Sequence, residues 1–408
     1  MGELFELVPR ETQKVETKHR RICTSIPVPE SIEMFDEMIK YETRSNAGMP
    51  PVVWDHTEDG YKVCDPYGNK FIDFTSCILI SNAGHANPEI TNAAIRTLQK
   101  PLLATYLFCS QERIEAAKEL ISVCPIPDAK VFMISAGTEA CEAALKLMRT
   151  YGKLKGGPEK KVIVTFKGSF HGRTLGSQMM GGMPELKEWI GNLDPDIVQA
   201  PYPNSFEYEW ADPEKPGYSD DKMFQSLLDT IHEHNVKYEN IAGIFIESYH
   251  APLCYPLPKA YAKRLREFCD KYDILLGMDE IQIGACRSGK FWGFEHTGII
   301  PDLFAAAKGM SGGLPQAALF GRRDVLDLYE PGDMSSTHSG SPVVSSATAA
   351  NIRFLRDNKI YEQAAMKGAI MEKALKELKE RFPHRIGYVG GIGMGRCVTF
   401  TDADKKVQ

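Results

Sequence analysis

The chain has 408 residues, 43% of them hydrophobic, and a formal net charge of −6, which is more than the ~150 residues of one typical domain and enough for a large core. The acidic balance, with a pI near 6.0, gives no reason to expect nucleic acid or an anionic membrane surface as a partner. No apolar run approaches the ~18 residues of a membrane span. The start Met1-Gly-Glu-Leu-Phe-Glu-Leu lacks the layout of a signal peptide, and Glu6 stands where myristoylation prefers Ser or Thr. The ten cysteines are scattered with no Cys-x-x-Cys pair, so neither a zinc site nor a disulfide framework is expected, and a cytoplasmic location is the default.

In chain order, the region before Ile72 reads as a helix and then a hairpin turning at Pro66-Tyr-Gly-Asn. Lys130-Val-Phe-Met-Ile-Ser reads as a strand. Thr138 to Tyr151 reads as a helix with Ala140, Ala143, Ala144, Leu147 and Met148 on its apolar face. Lys161-Val-Ile-Val-Thr-Phe and Ile241-Ala-Gly-Ile-Phe-Ile are further strands, and a helix from about Lys259 to Tyr272 leads into Ile274-Leu-Leu-Gly-Met-Asp279. Asp302-Leu-Phe-Ala-Ala-Ala is another apolar run. Short apolar strands separated by helices predict an α/β fold. Its sheet is mostly parallel and covered on both faces, with ligands at the carboxyl ends of the strands. From about Gly321 the pattern changes to long helices (Val344 to Asp357, Tyr361 to Arg381) and a last strand at Gly395-Arg-Cys-Val-Thr-Phe. The expected division is an N-terminal segment 1–75 packing with a small α+β domain 321–408, and a large domain 76–320.

Two residues at strand ends carry the chemistry. Lys308 and Asp279 each follow a buried-looking run, and together they are what pyridoxal phosphate (PLP) requires. A lysine amine forms a Schiff base with the cofactor aldehyde, and a carboxylate keeps the pyridine nitrogen protonated. Singly, each has a plainer reading, a lysine snorkelling out of a strand and an aspartate capping a helix. Ser135-Ala-Gly-Thr-Glu follows a strand and opens a helix, so Gly137 and Thr138 are either an ordinary helix cap or, beside Lys308 and Asp279, an anion site suited to one phosphate. In Ser169-Phe-His-Gly-Arg-Thr, Phe170 is able to stack on the ring and Arg173 to grip a substrate carboxylate with its bidentate fork. Ser336-Thr-His-Ser-Gly-Ser-Pro is either an ordinary loop or a hydroxyl donor from a neighbouring subunit.

In this order the stretches resemble the class III, fold type I, PLP-dependent aminotransferase family, from about Pro51 to about Ala350. The most specific matches are Met278-Asp-Glu-Ile-Gln, Gly289-Lys-Phe-Trp-Gly-Phe-Glu-His, Ile300-Pro-Asp, Ala307-Lys-Gly and Gly313-Leu-Pro. Ile72-Asp-Phe, Gly84-His-Ala-Asn-Pro and Phe170-His-Gly-Arg-Thr support them. The resemblance implies a seven-stranded type of sheet. It implies Lys308 as the covalent lysine and proton shuttle, Asp279 on the ring nitrogen, Gln282 near the ring oxygen, and Ile281 and Phe170 on the two ring faces. His171 is counted with the cofactor contacts. Gly137 and Thr138 would hold the phosphate with Thr337 of a partner chain, so a homodimer with shared sites is implied. Arg173 would bind the substrate carboxylate, and Ile78 would line the pocket. The partners are then a small amino donor and an oxo acceptor, with no metal.

The chain also departs from the pattern. Glu247-Ser-Tyr-His-Ala-Pro252 replaces a motif with a second glutamate, Gln282-Ile-Gly-Ala-Cys-Arg287 replaces Gln-x-Gly-Phe-Gly-Arg, and a late arginine segment is not seen before Gln408. These differences lead to an expected preference for substrates with a single α-carboxylate, or for a neutral amine acceptor, over 2-oxoglutarate and ω-amino acids. Three activities fit the same residues: an aminotransferase, a racemase or epimerase returning the proton to Cα, and a PLP-binding protein without turnover.

Overall fold

A computed structural model of the chain describes residues 5–45, 50–203, 219–252 and 254–401. The chain divides into two compact units, Met1–Asn87 and Pro88–Gln408. In the first, five short antiparallel strands form one sheet, and the helix Ile32–Tyr41 buries Phe35. The expected hairpin pairs Lys62–Cys64 with Lys70–Ile72. Its turn is closed by Asp65, whose Oδ1 accepts the N–H groups of Tyr67 and Asn69, the local bond that makes aspartate a turn residue.

The second unit is built on a seven-stranded sheet. Its spatial order is Ala129–Ile134, Ala317–Arg322, Leu303–Ala306, Leu275–Asp279, Ile241–Glu247, Val162–Phe166 and Ile197–Ala200. Six strands run one way, and Ala317–Arg322 runs antiparallel to both its neighbours. Every residue of Ile241–Glu247, Leu275–Asp279 and Leu303–Ala306 is buried, as expected for strands covered on both faces. The helix Gly137–Gly156 lies across this sheet and buries Ala140, Cys141, Ala143, Ala144, Leu147, Met148 and Tyr151, a face spaced at helical period.

Two strands of this seven-stranded sheet were not visible in the sequence pattern. Ile197–Ala200 has four residues and Ala317–Arg322 has six, and so short a run carries no period that separates it from a loop. Gly321, where the sequence pattern changes, is still inside the sheet. Beyond it, the helix Pro342–Asp357 packs on Pro88–Leu98 and Gln111–Ser122, and Ile360–Arg381 packs on the hairpin Ile386–Ile392 with Gly395–Phe400. Among the described residues no helix is long and apolar enough to cross a membrane.

Candidate active site

Four parallel strands end at the same edge of the sheet, at Phe166, Glu247, Asp279 and Ala306. That edge is where open α/β sheets bind ligands. Asp279 is the last residue of its strand, in register with Glu247 on one side and Ala305 on the other. It is buried, and both oxygens are held. Oδ1 accepts the Ile281 N–H at 2.9 Å. Oδ2 accepts His171 Nδ1 at 2.8 Å and the Cys141 thiol at 3.6 Å. A carboxylate acceptor fixes the imidazole as the Nδ1–H tautomer. His171 Nε2 is buried without a partner, and the ring meets Phe245 edge-on at 4.9 Å.

Lys308 lies two residues beyond its strand, in a short 3-10 turn, with φ of 45°. A left-handed lysine is costly, by roughly 1 kcal/mol or more, so the fold must hold it there. Burial lowers the pKa of its amine, against a smaller opposing pull from Asp279 and Glu247. No carboxylate reaches ion-pair distance of it among the described residues. It is therefore a buried amine with a reduced hold on its proton, the state a nucleophilic lysine needs.

The helix start facing this pair is open. Glu139 Oε2 accepts the N–H groups of Ser135 and Ala136 at 2.8 and 3.1 Å. The first-turn amides of Gly137 and Thr138 have no carbonyl partner within the helix, which leaves them for an anion. Gly137 is required at this point, because a Cβ would lie 2.9 Å from Ile281 Cδ1. Thr138 Oγ1 bonds Thr174 Oγ1 and Ser177 Oγ, each at 2.7 Å. Gly172, at φ +132°, passes so close that a Cβ would lie 2.3 Å from Thr138 Oγ1. The segment carrying Phe170, His171 and Arg173 is thus locked to the helix start.

The remaining predicted residues are placed less tightly. Phe170 is half-buried and Arg173 exposed, with the guanidinium carbon 5.8 Å from the Phe170 ring centroid. Arg173 has no carboxylate partner among the described residues. Gln282 Nε2 donates to the Ala251 carbonyl at 3.2 Å. Thr337 is exposed, next to Ser336, whose Oγ is 3.4 Å from Ser135 Oγ. Ile78 belongs to the first unit, where it is 71% exposed on the left-handed turn Ser76–Leu79.

Three buried groups were not singled out from sequence. Cys141 stands one turn after Gly137 on the same helix face, a spacing that offered a signal. Glu247 ends the neighbouring strand, and burial followed by the Asp279 charge pushes its carboxyl pKa well up. Glu280 accepts the Gly293 and Phe294 N–H groups at 2.6 and 2.9 Å, and burial lifts its pKa to about 7. A buried amine without a counter-ion, a carboxylate held by three donors, and a helix start with a glycine cradle fit the aldehyde, ring nitrogen and phosphate of PLP.

The family model of class-III aminotransferases matches residues 44–407. An acetylornithine aminotransferase of Synechocystis sp. is 32% identical over 337 residues, covering 82% of this chain and 73% of the relative. A probable 4-aminobutyrate aminotransferase of Bacillus subtilis is 29% identical over 360 residues, 85% of this chain and 80% of the relative. Among solved structures, the ornithine aminotransferase from Toxoplasma gondii ME49 superposes with a TM-score of 0.80 at 25% identity, covering 92% of this chain and 83% of that one.

Proposed function

The chain belongs to the class-III aminotransferase family, PLP enzymes that pass an amino group from a donor to an oxo acceptor, and on that premise we propose that Lys308 and Asp279 carry its chemistry. The observation supporting this most is their meeting at one strand edge, with Asp279 held by three donors and Lys308 buried without a counter-ion. PLP supplies the electron sink that lets a substrate Cα–H bond break. Lys308 holds the cofactor aldehyde and then moves the proton between substrate Cα and C4′. Asp279, steadied by His171, keeps the proton on the ring nitrogen. Gly137 and Thr138 hold the phosphate, Ile281 and Phe170 bracket the ring, and Gln282 lies near its oxygen. In the proposed division 1–75, 76–320 and 321–408, these residues all fall in the middle part.

Thr337 is proposed to reach the phosphate of a partner subunit, making the working unit a homodimer. Its exposure supports this, as does an uncovered apolar stretch in which Leu103, Leu107 and Phe108 are 63, 67 and 79% exposed. Tyr106 links that stretch to the Thr337 loop through Ser335 at 3.2 Å. Ten scattered cysteines without a Cys-x-x-Cys pair support a reducing, cytoplasmic location.

For substrate, the unpaired Arg173 beside Phe170 is the proposed carboxylate clamp, and the donor is proposed to carry a single α-carboxylate. The relatives named for acetylornithine and 4-aminobutyrate set the comparison. Half-reactions of the purified protein with α-amino acids, N-acetylornithine and 4-aminobutyrate, followed by loss of the cofactor's visible band, test both points. Oxo product from an α-amino acid supports the reading, and equal rates with 4-aminobutyrate refute the preference.

A further inference from the structure

Glu247 and Asp279 are register partners on adjacent parallel strands, so their side chains leave the same face of the sheet. Both are buried, Glu247 being 2% and Asp279 5% exposed. Their hydrogen bonds are unequal. Asp279 receives the Ile281 N–H, His171 Nδ1–H and Cys141 S–H. Glu247 receives one N–H, from Ala251 at 3.3 Å, and its Oε2 is buried without a partner. The Ser169 hydroxyl and Phe170 N–H lie nearby, and the Tyr202 hydroxyl donates to the Glu247 backbone carbonyl instead. Two like charges a strand apart and out of water are strongly unfavourable, and the group with the poorer donor set keeps its proton.

We infer that Glu247 stands in the cofactor site as an uncharged carboxylic acid, and that by leaving Asp279 as the one anion beside Lys308 it keeps the lysine amine free to react. The charged and titratable groups facing it agree. Cys141, from the helix across the sheet, and Tyr202 are both pushed upward by burial and stay neutral. Lys308 feels this carboxyl directly, with Arg287 a second cation near the lysine, and an anionic Glu247 would strengthen the lysine's hold on its proton. An acid at this position therefore works through Lys308 and Asp279 without touching substrate, as a positioning residue. The inference rests on the proposal that Lys308 holds the cofactor.

The test compares wild type with Glu247→Gln, a neutral group of the same shape, each stripped of cofactor and reloaded with PLP across neutral and alkaline pH. The expected result is an unchanged pH midpoint of loading and a loading rate within about twofold. In the infrared, the carbonyl stretch of a buried protonated carboxyl is expected in wild type and is lost in the variant. A midpoint moved down by about one unit or more would show that wild-type Glu247 is an anion, and an infrared band unaltered by the substitution would show the same. Should E247Q not fold, Glu247→Leu, also neutral, replaces it in both measurements. Borohydride reduction and peptide mapping of the wild type separate the two readings. Cofactor found on another lysine overturns the role of Lys308, whereas the infrared band reports Glu247 wherever the cofactor attaches.

Discussion

The floor and the mouth of the site are made differently. On the floor, Asp279, His171, Cys141 and Glu247 are buried and tied to strand ends and one long helix. At the mouth, Arg173 and Thr337 are exposed, and among the described residues Arg173 meets the Phe170 ring and no carboxylate. A side chain whose neighbours are core atoms cannot change without disturbing the core. One that stands in solvent is free to vary. With the proposed roles, the contrast would put the shared chemistry on the floor and the choice of substrate at the mouth.

Substitutions that remove a charge or the covalent amine from the floor should therefore cost rate, and those at the mouth should cost affinity. The largest effect is expected from Lys308→Ala, which should abolish turnover and the visible band of bound cofactor; measurable turnover would remove Lys308 from the chemistry. Asp279→Asn should keep the melting temperature near wild type but lower kcat/KM on the order of a thousandfold, since a neutral amide cannot hold the ring proton. Gly172→Ala combines a φ of +132° with a clash on Thr138. It should weaken PLP affinity by about 10- to 100-fold, by disturbing the helix start, and equilibrium dialysis of PLP measures it. Arg173→Lys should raise KM for carboxylate donors about tenfold with kcat little changed, because a point charge loses the bidentate fork. A fall in kcat instead would move Arg173 to the floor.

The smallest effect is a pH dependence of stability. Burial lowers the folded-state pKa of Lys308, so between that value and the ordinary lysine range the unfolded chain binds more protons. Stability of the cofactor-free protein should rise with pH through this window. Lys160 and Lys187 are lowered by burial too, so urea midpoints should rise more steeply with pH in wild type than in Lys308→Ala.

What was legible in the sequence follows the same boundary. Lys308 and Asp279 stood out because each closes an apolar run, and a run that ends in a charged residue marks the edge of a buried sheet. Gly137 and Thr138 were visible as a helix start, and the helix runs past the predicted Tyr151 to Gly156, with Gly152 still buried but Lys153 to Gly156 in solvent, so no apolar face marked its end. The Cys141 and Glu247 contacts were not legible, since they depend on strand order and register that no local pattern records. The antiparallel strand Ala317–Arg322 stayed hidden for a related reason. A short apolar run shows burial but carries no sign of direction.

That antiparallel strand has a mechanical consequence. Lys308 sits on the connection Ala307–Gln316 between Leu303–Ala306 and Ala317–Arg322, two strands bonded to each other directly, and it lies two residues past the first of them. Its backbone is thus tied close to the sheet on that side. In the proposed role the proton would be ferried by rotation about the lysine's own carbon–carbon bonds, a local movement that solvent drag barely touches. The half-reaction with a bound donor should then run at the same speed in a sucrose-thickened buffer as in a thin one, leaving any sensitivity to viscosity to the arrival and departure of substrates.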